Sequence, residues 1–121
     1  MSTRYNQNMQ LATALSIHSL KEIASANFHN LVKAVVDIES GQVMIDGEMH
    51  ADLEAALIEL GSQQKNLWGI NLHPDLGPTE DCIEFDSMIN VRPNQNNPSR
   101  DVLDPQTRAK ITNIIVGMLT D

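Results

Sequence analysis

The sequence predicts an α+β fold: a single antiparallel sheet of about four strands, with three helices packed mainly on one face. Three observations point there. Short β-branched runs bounded by Gly, Asn and Pro turns alternate with stretches of helical apolar spacing. The strands come in hairpin-like pairs, each followed by a helix, giving the order helix, two strands, helix, two strands, helix. At 121 residues the chain is one domain, long enough to bury a core without disulfides.

Taken in order, Met1 to about Gln10 reads as a tail, leaving 11–121 as the domain. Leu11 to Ile17 fits either a short strand or an extra helical turn. Ser19-Leu20-Lys21-Glu22 has the form of a capping box, and Leu20, Ile23, Ala24, Phe28 and Leu31 follow near helical spacing, so a first helix is expected over Leu20 to Asn30. Val32 to Ile38 and Gln42 to Asp46 form a hairpin around Gly41. A second helix covers Ala51 to Leu60, with Leu53, Ala56, Leu57 and Leu60 as its stripe and Gly61 as its stop. Leu67 to Leu72 is the third strand, placing Trp68, Ile70 and Leu72 on one face and Gly69 and Asn71 on the other. The fourth runs from Ile83 to Arg92. After an Asn-rich loop, Asp104-Pro105 starts the last helix, the Asp capping free N–H groups and the proline pre-set for the first turn. Its buried stripe is Ile111, Ile114, Ile115, Met118 and Leu119.

The net charge is −8 and unevenly placed. Residues 37–86 hold twelve acids against the single base Lys65, whereas between Ser87 and Lys110 the bases Arg92, Arg100, Arg108 and Lys110 outnumber Asp101 and Asp104. Such a protein repels polyanions and has few aromatics to stack on bases, which argues against nucleic acid as a partner. Cys82 stands alone, so no internal disulfide or thiolate metal cluster forms. No segment approaches the roughly 20 apolar residues of a membrane span, and the N-terminus lacks a signal-peptide pattern; the expected location is cytoplasmic.

Chemistry is expected on the fourth strand. A period of two projects Glu84, Asp86, Asn90 and Arg92 from one side of the sheet, where Asn71 also points. The candidate ligand-binding set is therefore His50, Asn71, Glu84, Asp86, Asn90, Arg92 and Arg100. In this reading the domain is a binding or regulatory module for a small anionic ligand or a protein partner. Arg92 and Arg100 hold negative charge, Asn71 and Asn90 orient the ligand, and Glu84 and Asp86 accept donors. The bland alternative has Arg92 and Arg100 pinning the Asn-rich loop through Glu84, Asp86 or Asp101. A second class is a small hydrolase or metal-dependent enzyme with His50 or His73 as general base beside a carboxylate. Against it, the chain has no HExxH, P-loop, GxGxxG or Gly-x-Ser-x-Gly pattern, and neither a metal nor a cofactor is expected. Ser87 shares parity with Phe85 and Ile89 and should point into the core. An open sheet face and two sheet edges favour a homodimer, with Met44, Trp68 and Met88 as candidate apolar contributors.

Several phrases occur together: Val32-Lys33-Ala34-Val35-Val36-Asp37-Ile38, Gly47-Glu48-Met49-His50-Ala51-Asp52, Leu67-Trp68-Gly69-Ile70-Asn71, Phe85 through Pro93, Asn97-Pro98-Ser99-Arg100 and Asp104-Pro105. In these the chain resembles a small prokaryotic family catalogued as a domain of unknown function. The likeness spans Val32 to the C-terminus. It implies a compact single domain and brings no activity, substrate or cofactor.

Overall fold

A computed structural model describes residues 8–27 and 29–121 of the chain. In chain order the elements are β1 (Gln10–Leu11), β2 (Leu15–Ser16), α1 (Ile17–Ser25), β3 (Val32–Asp37), β4 (Val43–Ile45), α2 (His50–Glu59), β5 (Leu67–Leu72), β6 (Ile83–Glu84), α3 (Pro105–Met118) and β7 (Leu119–Thr120). The fold is α+β, as expected, but the main sheet has five strands, ordered β1-β4-β3-β5-β6, and every pairing in it is antiparallel. The added strand is β1: Gln10, at the end of the expected tail, pairs with Ile45. The first seven residues of that tail lie outside the described residues.

The undecided stretch from Leu11 to Ile17 is neither wholly strand nor wholly helix. Leu15 and Ser16 run parallel to Leu119 and Thr120, bringing the two ends of the domain together. Helix α1 starts three residues earlier than the capping-box reading, because the Ser16 side chain accepts from the Ser19 N–H at 3.2 Å. It also stops early. Asn27 folds back on the turn, donating to the Ile23 and Leu31 carbonyls and accepting from the His29 and Asn30 N–H groups, which closes a loop where the helix was expected to continue. Phe28, expected on the stripe of this helix, lies outside the described residues.

Strand β3 is central, and its alternation divides the core in two. Val32, Ala34 and Val36 join Ile70, Leu72, Leu20 and Ala24 of α1, and Ile111 and Ile115 of α3 on one face. Val35, Met44 and Leu67 meet Leu53 and Leu57 of α2 on the other. Two helices thus share one face while α2 takes part of the opposite one. The α2 stripe is narrower than its apolar residues suggest, for Leu60 is 57 % exposed beyond the last turn. At the start of α3, Asp104 behaves as expected: its carboxylate accepts from the Thr107 N–H at 3.0 Å.

The principal departure is the fourth expected strand. Only Ile83 and Glu84 pair with β5. Beyond them the chain leaves the sheet and makes short 3-10 turns at Met88–Asn90 and Pro93–Gln95. Ser87 ends the alternation: its hydroxyl accepts from the Ile89 N–H at 3.2 Å, and its own N–H donates to the Arg100 carbonyl at 3.1 Å.

Candidate functional site

With β6 cut short, the outward-facing backbone of β5 at Gly69 has no strand beside it. A side chain supplies the missing neighbour. Asn90 is fully buried; its Oδ1 accepts from the Gly69 N–H at 2.8 Å, and its Nδ2 donates to the Gly69 carbonyl at 3.0 Å. The same amide donates to the Arg100 carbonyl at 2.9 Å, so one carboxamide imitates a strand residue and anchors the loop. Asn97, also buried, donates from Nδ2 to the carbonyls of Asn90, Ser99 and Asp101 and accepts from the Leu103 N–H. The Asn-rich loop is therefore satisfied from within.

Arg92 is likewise turned inward. Its guanidinium donates to the carbonyls of Ile89 at 2.9 Å, Gln64 at 3.0 Å and Leu67, stands 3.5 Å from Glu54, and lies 4.7 Å from the centre of the Trp68 ring. Burial lowers its pKa and the nearby Glu54 carboxylate opposes that. Seven candidates thus separate into two groups. Asn90 and Arg92 hold the loop against β5, while His50, Asn71, Glu84, Asp86 and Arg100 come together on the strip of sheet that α2 leaves open.

That strip is built on Gly69 and Asn71. A Cβ at Gly69 would sit 2.6 Å from the Ser87 hydroxyl and 3.1 Å from the His50 ring, so the absence of a side chain lets both groups close over the strand. His50 opens α2 and its Nε2 makes a 2.8 Å hydrogen bond with the Ile70 carbonyl, which fixes that nitrogen as the donor. Burial pushes the His50 pKa down, and Lys33 pushes it the same way; the bond to Ile70, the charge of Asp86 and the side chain of Asn71 oppose them. Asn71 donates from Nδ2 to Glu84 Oε1 at 3.0 Å and to the Asp86 carbonyl at 3.2 Å. Its Oδ1 is buried and accepts no hydrogen bond, so a proton added to His50 would find an acceptor there.

Glu84 Oε1 also meets His73 Nε2 at 2.9 Å. The His73 and Asn71 bonds hold the Glu84 carboxyl below its usual range against a smaller effect of burial. Next along, Arg100 Nε donates to Asp86 Oδ1 at 2.6 Å, the pinning contact the sequence allowed. The result is an Asn71–Glu84–His73 chain beside an Asp86–Arg100 pair, with the outer groups partly exposed. Two exposed methionines adjoin it in the chain: Met49, next to His50, is 59 % exposed and Met88, next to Ser87, is 64 % exposed.

Sequence reasoning underrated His73, which entered only through the enzyme alternative, and passed over Lys33. The signal for Lys33 was present: it is the lone base in an apolar strand, and its register partner is Asn71. Among the described residues no group of three His, Cys, Asp or Glu side chains is arranged to hold a metal ion, and no helix is long and apolar enough to cross a membrane. Cys82 is buried, and burial raises its thiol pKa, the setting of an inert cysteine.

Fold and strip together define a small α+β domain with a hydrogen-bonded polar surface beside a half-covered sheet. The chain belongs to the family described as protein of unknown function (DUF5674), whose model matches residues 9–118. No curated protein and no solved structure matches it.

Proposed function

We propose that the domain is a binding module whose working surface is the strip of His50, Asn71, His73, Glu84 and Asp86, and that its partner is a protein segment presenting basic and apolar side chains together. The observation that carries this reading is the Asn71–Glu84–His73 chain, in which two donors fix one carboxylate, with exposed methionines at the chain positions next to His50 and Ser87. Methionine adapts to varied apolar partners, and a carboxylate already oriented by neighbours loses little entropy on meeting a cation. The acidic run of residues 37–86 attracts such a partner over longer range. A small anionic ligand fits less well, because Arg92 is withdrawn to backbone carbonyls. A second copy of the chain also fits less well: both edge strands, β1 and β6, are two residues long and leave little edge to pair.

The test is a titration of the isotopically labelled chain with a short Lys/Leu peptide and, separately, its Glu/Leu counterpart. The basic peptide should give saturable amide shifts around residues 49–50, 71–73 and 84–88. The double variant Glu84→Gln, Asp86→Asn should weaken binding by about tenfold or more, the scale of a lost charge-assisted hydrogen bond. An equal response to the acidic peptide, or an unchanged response from the variant, would reject the reading.

The His73–Glu84 contact also favours a general-base hydrolase, with His73 taking a proton from water. Cavities beside α1, along α3 and under the 93–97 loop are lined by other residues, and the hydroxyl of Ser87 is buried and committed to its own turn.

A further inference from the structure

Away from the strip, a cavity of about 360 Å³ lies where the end of α1 meets the start of β3 and the end of β4. Its volume is within the range of small-molecule sites, roughly 300–1,000 Å³. Ile23 of α1 and Ala26, just past its end, form an apolar wall with Leu31 and Val32. Asp46 is part of the same lining.

Asp46 is unusual in three respects. Its backbone sits at φ +68°, a left-handed conformation that Asp and Asn adopt more readily than other side-chain-bearing residues. Its carboxylate neither accepts a hydrogen bond from nor pairs with any described residue, and burial alone raises its pKa. The cation lining the cavity, Lys33, is occupied elsewhere: its Nζ donates to the Glu48 carbonyl at 3.0 Å. A half-buried carboxylate without a partner is costly, and a ligand cation with two or three N–H donors would offset that cost. Glu48 is the second acidic residue of the lining, and no three metal-ligating side chains gather to hold a metal ion among the described residues.

We infer that this cavity binds a small primary amine with an apolar body, the ammonium against the Asp46 carboxylate and the body against Ile23, Ala26, Leu31 and Val32. The site is separate from the strip, and neither reading depends on the other.

Three probes of equal shape and different charge test it: 2-phenylethylamine, 2-phenylethanol and phenylacetate, each titrated into the labelled full chain. The amine should shift the amides of residues 23, 26, 31, 32 and 46 with saturation. The alcohol should bind about tenfold more weakly, as the loss of one charge-assisted contact requires, and phenylacetate should not saturate. Asp46→Asn, which tolerates the left-handed backbone, should reduce the amine to the level of the alcohol while leaving the rest of the spectrum in place. Ala26→Phe, which fills the cavity from an exposed helix end, should abolish binding of both. Equal affinity for amine and alcohol, undiminished binding to Asp46→Asn, or shifts centred on Asn71, Glu84 and Asp86 would each overturn the inference.

Discussion

Asn90 shows how much one side chain can settle. Its carboxamide pairs with the N–H and C=O of Gly69 where no strand lies beside them, so Asn90→Ala leaves two buried backbone groups without partners. Unsatisfied groups cost about 1–3 kcal/mol each, and the variant should lose about 2–4 kcal/mol of unfolding free energy in urea. A loss under about 1 kcal/mol would mean that water replaces the amide. His50 makes a different prediction. Its folded pKa is depressed, so protons prefer the unfolded chain; stability is intact above the ordinary imidazole value of about 6.5 and declines as pH falls below it, until the folded value is passed. Glu84 has the same sign in a lower window, its contribution present above about 4.3 and lost as pH falls through its depressed folded value. Urea midpoints measured from about pH 7.5 to 5.5 should fall for the natural chain and stay flatter for His50→Asn. Parallel profiles would show that His50 does not cause the decline.

At the scale of elements, strands β3 to β5 and helices α2 and α3 were legible because each carries a regular period over enough residues. Leu67–Leu72 was placed to the residue, and Asp104-Pro105 marked its helix start without ambiguity. Alternation from Ile83 to Arg92 misled beyond Glu84. The same parity arises when a chain leaves a sheet and turns inward, and the apolar residues alone cannot distinguish a strand from side chains that substitute for one. What decides it is Ser87 capping its own turn and Asn90 reaching Gly69, both long-range or side-chain events that no period records. The candidate site was legible to the same extent: Asn71, Glu84 and Asp86 fall together because β5 and β6 pair there, whereas Asn90 and Arg92 were assigned to a ligand and serve the loop. Gly69→Ala tests the close approach on which the strip stands. A methyl group 2.6 Å from the Ser87 hydroxyl must displace that turn or His50, and overpacking of this kind costs about 1–3 kcal/mol. The variant should also move the His50 and Ser87 resonances; a spectrum unchanged at both would deny the glycine its role.

For the whole molecule, charge bears on both stability and association. With a net charge of −8 concentrated in residues 37–86, like charges oppose the compact state. Raising ionic strength from about 0.01 M to about 0.15 M shortens the screening length from about 30 Å to about 8 Å, and the melting temperature should rise with it. A fall would mean that the ion pairs outweigh the repulsion. The two-residue edges predict a single-chain species in sedimentation at neutral pH, and a concentration-dependent dimer would return the partner question to a second copy. Trp68 offers a way to watch these events. It is the sole indole of the chain, lies nine-tenths buried with its ring N–H unpaired, and has the Arg92 guanidinium beside it. Its emission is therefore a single-wavelength gauge of whether the 93–100 loop is docked, so partial lifting of that loop should redden the fluorescence before the helical signal changes.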